Sequence, residues 1–228
     1  MDNYTSIVIP TIGKDNMILS LIDRIKDIND TCVKDIFIFD NGMPNDTLQA
    51  CQSYNVRVIH SHGKNIYSMW NDGVSYALLN NSKSICIFND DLNIPLINDW
   101  FKKLIRPLSE DDVWAVSANY NPFIHNDDTE FKEVIGTFKD GGFAGFCFAV
   151  KLDAYIKGLP LFDDTYNWWF GDDDFVHSVH KAGKKTVISL NAIVEHIHGG
   201  SRSVHQYTPE FNTMVEKDKQ HYFRKWHS

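Results

Sequence analysis

Two adjacent carboxylates, Asp90 and Asp91, follow the unbroken apolar run Ile85, Cys86, Ile87 and Phe88. Such a run reads as a strand buried on both faces, and it stops at Asn89. Ligands of open α/β sheets bind at the carboxyl ends of strands, so paired carboxylates there suit a hard divalent cation. The same residues also suit an Asx turn, because Asn and Asp bond their own backbone. Further acidic clusters stand at Asp163–Asp164 and at Asp172 to Asp174; a bound cation would relieve their repulsion. A carboxylate can also take the proton of an attacking hydroxyl, whereas three Asp in a row equally mark a helix N-terminus. Val194, His196 and His198 alternate along one face of an extended segment just before Gly199-Gly200. Neutral imidazole there suits a metal, and imidazolium suits a phosphate.

These residues need a frame. Ser6 to Pro10 reads as a buried strand, and Ile18, Leu21, Ile22, Ile25 and Ile28 recur at helical spacing after it. Asp35 to Phe39 is a second strand, closed by the turn residues Asp40, Asn41 and Gly42, and Val56 to Ile59 is a third. Ile66, Met69, Trp70, Val74, Ala77 and Leu78 mark a helix, and the run before Asn89 is the fourth strand. Strands alternating with helices predict a mostly parallel, doubly wound sheet. Beyond it, Ile97 to Ile105 reads as a helix and Val113 to Ser117 as a strand; Tyr120 to Asp140 has no period and reads as a loop, a candidate acceptor lid. Phe143 to Val150 reads as a glycine-punctuated strand, Phe175 to Ala182 as a short helix, Ile188 to His198 as extended and Phe211 to Trp226 as a closing helix.

The chain has 228 residues, 43% of them hydrophobic, enough for a sizeable core, and no apolar run approaches the length of a membrane span. With no leader-like start either, the expectation is a cytoplasmic protein. Cys32, Cys51, Cys86 and Cys147 are scattered without metal spacing, which argues against structural zinc and secretion. A formal net charge of −8 opposes a broad grip on nucleic acid or anionic lipid.

In order and spacing, IVIPT, FDNG, NIYSMWNDGVSYA, FNDD, GDDDF, VEHIHGGS and the terminal YFRKW together resemble the family 2 glycosyltransferases, whose fold is called GT-A. The resemblance implies one domain over 1–228: a nucleotide-sugar-binding half over 1–95, then an acceptor-binding half and C-terminal helix over 96–228. The sheet would be Rossmann-like and mostly parallel, flanked by helices, with a smaller antiparallel portion on the acceptor side. Pro10, Thr11 and Asp40 match positions that hold the nucleoside, Asn65 and Asn71 match nucleotide contacts, and Asp90 would face the donor's sugar or ribose. Asp91 aligns with the metal ligand of the D-x-D motif, with Asn89 in its first position, and His196 or His198 would complete the shell around Mn2+ or Mg2+. In the GDDDF cluster Asp172 aligns with the catalytic base, a one-residue shift nominates Asp173, and Gly171 replaces the family's glutamate. Trp168 and Trp169 are candidates to stack on an acceptor sugar, or to be buried aromatics.

The implied activity is metal-dependent, inverting transfer of a hexose or pentose from a nucleotide-sugar, UDP-linked by expectation, to a hydroxyl acceptor: a glycan or a hydroxylated DNA base. Two rivals stand beside it. A nucleotidyltransferase acting on sugar phosphates would want a glycine- and lysine-rich phosphate loop, where PTIGK offers only Gly13 and Lys14. A non-catalytic sugar-nucleotide or glycan-binding protein would bind donor without hydrolysing it.

Overall fold

The computed structural model describes residues 4–122, 129–136, 142–197 and 208–227. Strands β1 (Thr5–Thr11), β2 (Val33–Asp40), β3 (Arg57–His60) and β4 (Ser84–Phe88) pair in parallel in the order β3-β2-β1-β4. Between them run helices α1 (Met17–Ile28), α2 (Asn45–Ser53) and α3 (Ile66–Leu79). The sheet continues beyond β4 through β8 (Cys147–Lys151), β6 (Val113–Asn119), β9 (Lys185–Ile193) and β7 (Phe131–Val134). There β8 is antiparallel to β4 and β6, β9 is parallel to β6, and β7 is antiparallel to β9. A separate ribbon pairs β5 (Leu92–Asn93) with β10 (Glu195–His196) antiparallel. Among the described residues the further α-helices are α4 (Trp100–Ile105), α5 (Leu152–Ile156), α6 (Gly171–Lys181) and α7 (Pro209–Trp226).

Apolar layers cover both faces of the sheet, which is why its central strands read as unbroken apolar runs. Ile7, Ile9, Ile36, Ile38, Cys86 and Phe88 face one layer, with Ile18, Leu21, Ile22 and Ile25 of α1 and Trp100, Phe101 and Leu104 of α4. Their alternates Val8, Phe37, Phe39, Ile85 and Ile87 face the other, with Tyr67, Trp70 and Val74 of α3 and Phe175, Val176 and Val179 of α6. Both layers draw on residues before and after 95. All four cysteines are free and buried, and burial pushes the Cys86 thiol up to about 12, so it packs as a small hydrophobe. No helix among the described residues is long and apolar enough to cross a membrane.

The structure departs from the sequence expectations where local pattern is weak. Helix α2 went unread because NDTLQACQS is polar and buries only Thr47 and Cys51. The stretch read as a loop from Tyr120 to Asp140 contains β7, whose residues are mostly surface-facing and gain their order by pairing with β9; residues 123–128 and 137–141 lie outside the described residues. The strand expected from Phe143 starts only at Cys147, because Cys147 N–H bonds the Ala144 carbonyl in a turn (3.2 Å). The extended run after Ile188 divides at Val194 into β9 and β10.

Helix α3 lies on β1 with no space to spare at Gly73, where an added Cβ would stand 2.5 Å from Cγ2 of buried Val8. Gly73→Ala would gain up to about 1 kcal/mol of helix propensity. It would also overpack a stiff β-branched neighbour at a cost of roughly 1–3 kcal/mol. The expected result is net destabilisation, read as a lower urea midpoint at unchanged m-value.

Helix α7 is tied to the 162–166 segment by Asp163, which accepts from His221 Nε2 and Lys225 Nζ (both 2.9 Å) and from Thr165 N–H (3.1 Å). Burial pushes the Asp163 carboxyl up, but the bonds from His221, Thr165 and Lys225 outweigh it and hold the group well below the usual range. Asp163→Asn is expected to cost about 1–3 kcal/mol at neutral pH. A depressed folded pKa stabilises above the unfolded value of about 3.9 and stops doing so as pH falls through the folded one. The gap between variant and wild type in denaturant titrations should therefore hold from pH 7 to about pH 5 and close as pH drops below roughly 4.

Candidate active site

The carboxyl ends of β1, β2 and β4 lie side by side, and each delivers a polar side chain as its apolar run ends. Thr11, the last residue of β1, accepts the Gly13 N–H (2.8 Å) and donates its hydroxyl to Asp90 Oδ2 (2.5 Å). Asp90 is 4% exposed. Burial, with the neighbouring Asp91 charge adding to it, pushes its carboxyl up to about 6 against the opposing Thr11 bond. Pro10 is buried within β1, beside Phe39 of β2.

Asp91, 5% exposed, starts the short ribbon in which Leu92 pairs with His196 and Asn93 with Glu195. Two further bonds zip this ribbon: Ile197 N–H to the Asp91 carbonyl and Asn93 Nδ2 to Glu195 Oε2 (both 2.9 Å). The ribbon sets His196 Nε2 3.0 Å from Asp91 Oδ1, across 105 positions of chain. The His196 ring stacks on Phe146 at 4.2 Å, and the Phe146 carbonyl accepts the Asn89 N–H (2.8 Å). His198 lies outside the described residues.

A divalent cation fits here. Asp91 and His196 bring a carboxylate oxygen and an imidazole nitrogen within one hydrogen-bond length. The raised Asp90 carboxyl is short of the positive charge that a dication would supply. A cation shared with substrate phosphates commonly takes only one or two ligands from the protein.

Asp40, the last residue of β2, has a side chain only 2% exposed. Its Oδ1 accepts Gly42 N–H (2.9 Å) and Met43 N–H (2.7 Å), with Gly42 at φ 111°. Its Oδ2 meets His60 Nδ1 (2.8 Å) and His62 Nε2 (3.3 Å). Burial raises the Asp40 carboxyl, but the Met43 and Gly42 N–H groups and the two imidazoles together bring it below the ordinary value. Sequence reading missed both histidines. The signal was His-x-His at the end of a strand, opposite Asp40 in the parallel register.

Asn65 and Asn71 face the 162–164 segment. Asn65 caps α3 by accepting Ser68 N–H (2.8 Å) and donates to the Asp164 carbonyl (2.6 Å). The Asn71 amide pairs both ways with the Phe162 backbone, donating at 2.8 Å and accepting at 2.9 Å.

The acidic cluster at the start of α6 is sorted by its surroundings. Phe170, at φ 67°, turns the chain into the helix. Gly171 then packs so closely on the Tyr67 ring that any Cβ would overlap it, so a glutamate does not fit there. Tyr67 accepts Gly171 N–H (3.2 Å) and donates to the Trp168 carbonyl (3.3 Å). Asp174, 3% exposed, is committed to α7 through Lys225 Nζ (2.9 Å) and Trp226 Nε1 (2.7 Å). Asp173 is half-buried. The half-buried Asp172 lies against Gly145, where a Cβ would overlap its carboxylate. Gly145 adjoins Phe146, so Asp172 and His196 pack about the same two-residue step.

One further residue escaped the sequence reading. Asp218 of α7, 1% exposed, accepts N–H bonds from Asn167 (2.9 Å), Trp168 (2.8 Å) and Trp169 (3.0 Å), plus the Asn167 side-chain amide (3.0 Å). It thereby sets the backbone of both tryptophans, and the Trp168 ring packs on Phe211 at 5.6 Å. The legible signal was one Asp on the helix face that buries Phe211 and Tyr222.

Several solved structures share this architecture. One is described as GalNAc-T7 with UDP, GalNAc and Mn2+: TM-score 0.66, 12% identity, 96% of this chain and 50% of that one covered. A second is the mannosyltransferase PcManGT from Pyrobaculum calidifontis with GDP-Man and Mn2+: TM-score 0.67, 14% identity, 97% and 63% covered. A third is S. aureus TarS 1-349: TM-score 0.60, 11% identity, 81% and 57% covered. The chain thus spans about half to under two thirds of each of these proteins, and the likeness shows the fold, GT-A. No curated protein matches the sequence. Residues 6–144, more than half of the chain, match the family described as Glycosyl transferase family 2, and the chain belongs to that family.

Proposed function

We propose that this protein is a metal-dependent, inverting glycosyltransferase that moves a sugar from a UDP-linked donor to a hydroxyl acceptor, a glycan or a hydroxylated DNA base. The observation that carries the reading is the pairing of buried Asp91 with part-buried His196, assembled beside Asp90 and across the Gly145–Phe146 step from Asp172. In this reading residues 1–95 bind the nucleotide-sugar and 96–228 the acceptor, within one domain.

Asp91 and His196 hold the cation, and an imidazole in the set favours Mn2+ over Mg2+. When bound, the ion supplies positive charge to a diphosphate that becomes more negative as the sugar leaves. Asp40, beside Pro10 and Thr11, offers its carboxylate to the nucleoside. Asp90, oriented by Thr11, faces the donor's ribose or sugar. Asn65 and Asn71 shape this side of the site by holding the 162–164 segment. Asp172 takes the acceptor's proton as its oxygen attacks the anomeric carbon from the side opposite the diphosphate, which inverts that centre. Asp174 is committed to α7, and of Asp172 and Asp173 the contact with Gly145 favours Asp172. Trp168 and Trp169, set by Asp218, present aromatic surface to the acceptor sugar.

A panel of UDP-sugars, assayed with Mn2+ for transfer or slow hydrolysis to UDP, tests the activity; no turnover of any nucleotide-sugar would sink it. Asp91→Asn is expected to lower kcat/KM about 10²-fold or more and to blunt the response to Mn2+. Unchanged Mn2+ dependence would place the ion elsewhere.

Asp172→Asn should reduce kcat by about 10²–10⁴-fold with little effect on donor KM. If Asp173→Asn alone has that effect, the base lies one residue further along α6.

A further inference from the structure

Tyr67 carries a hydroxyl that the transfer chemistry has so far left without a task. It stands in the first turn of α3 and is 2% exposed. Its Oη reaches across the turn at Phe170, accepting Gly171 N–H (3.2 Å) on one side and donating to the Trp168 carbonyl (3.3 Å) on the other. The turn it spans is a costly one. Phe170 sits at φ 67° and ψ −7°, a left-handed conformation that a bulky side chain disfavours. A residue stays in such a conformation only where its surroundings over-determine it, and such residues cluster at functional sites. The Phe170 carbonyl then accepts Asp174 N–H (2.8 Å), so the first turn of α6, with Asp172 in it, starts from the orientation this turn sets.

The hydroxyl is rigidly mounted. Helix α3 is held against β1 by the close fit of Gly73 on Val8. The Tyr67 ring meets Trp70 (5.0 Å) and Tyr166 (6.0 Å) edge-on, and Gly171 lies directly on it. Burial, with the Asp172 charge adding to it, pushes the phenol well above the ordinary tyrosine range, so it remains a hydrogen-bond donor. From the opposite side, Asp218 of α7 takes the N–H groups of Asn167, Trp168 and Trp169. The two grips divide the segment. Asp218 fixes the stretch before the turn, whereas Tyr67 bonds backbone on both sides of it and so joins the tryptophan pair to Asp172.

We propose that Tyr67 is a positioning residue for sugar transfer: its hydroxyl clips the Trp168 carbonyl to the Gly171 N–H across the strained Phe170 turn and thereby holds Asp172 where it takes the acceptor's proton. The inference rests on the transfer reading above, with Asp172 as base. Tyr67→Phe removes the hydroxyl and keeps the ring on Gly171. Hydrogen exchange followed by mass spectrometry tests the clip without any need for turnover: amides of the 169–173 stretch should exchange at least about tenfold faster, while those of α1 keep their protection. In the transfer assay kcat should fall about 10–10²-fold, as misplacement of a reacting group costs, with donor KM within about twofold of wild type. Glycine adopts the left-handed turn without steric cost, so in a Phe170→Gly background the same substitution should lower kcat by no more than about threefold. A hydroxyl that merely stabilised the core would cost the same in both backgrounds. Unchanged exchange at 169–173 in Tyr67→Phe would overturn the clip. Faster exchange with wild-type kcat, or an equal loss of kcat in both backgrounds, would overturn the positioning role and leave the transfer reading standing. Wild-type protein that turns over no nucleotide-sugar, even with the clip seen in exchange, would sink the transfer reading and the positioning role with it.

Discussion

Asp40, Asp90, Asp91, Asp174 and Asp218 are each 5% exposed or less, in a chain that already carries a net charge of −8. Removing a carboxylate from water costs several kcal/mol unless hydrogen bonds and opposite charge replace the lost hydration. That constraint organises the ligand end of the protein, because most of the compensating groups come from other parts of the chain. Asp90 draws on Thr11, Asp91 on His196, Asp40 on His60 and His62, Asp174 on Lys225 and Trp226, and Asp218 on the backbone of 167–169. Each buried charge is thus a tie between segments as well as a chemical group.

The ties differ in what they leave for chemistry. Asp218 and Asp174 meet dense donor sets and act as anchors that hold α7 against the start of α6. Asp90 is different: its partners do not offset burial, and its carboxyl rises to about 6. Perturbed groups of this kind cluster where a ligand supplies what the protein lacks. Close backbone approaches complete the arrangement. Gly145 admits the Asp172 carboxylate and Gly171 admits the Tyr67 ring, so two missing side chains bring α6 and α3 to the strand ends.

The frame was readable wherever apolar residues repeat with a period. The first four strands and α1 and α3 follow from their patterns within a residue or so at most ends, because a strand covered on both faces has to be apolar throughout. Polar α2 and the edge strand β7 carry no such pattern: their order comes from neighbours they pair or pack with. The edges of β8 and β9 were misjudged for a related reason, a turn at Ala144 to Cys147 and a break at Val194 that hydrogen bonds impose on residues compatible with strand.

Residue types and their order along the chain determined the acidic and histidine-bearing candidates, the alternating architecture and the family likeness, since each depends on local pattern and spacing. Tertiary structure alone decided how those candidates combine. It set His196 on Asp91 across 105 positions, turned His60 and His62 onto Asp40, and separated Asp174 from Asp172 although two positions apart. It also gave a buried anchoring task to Asp218, in a helix that reads simply as a closing element. The physical reason is that a buried charge is satisfied by whatever donors the packed fold brings within about 3 Å, and that proximity is a property of the packing, not of position in the chain.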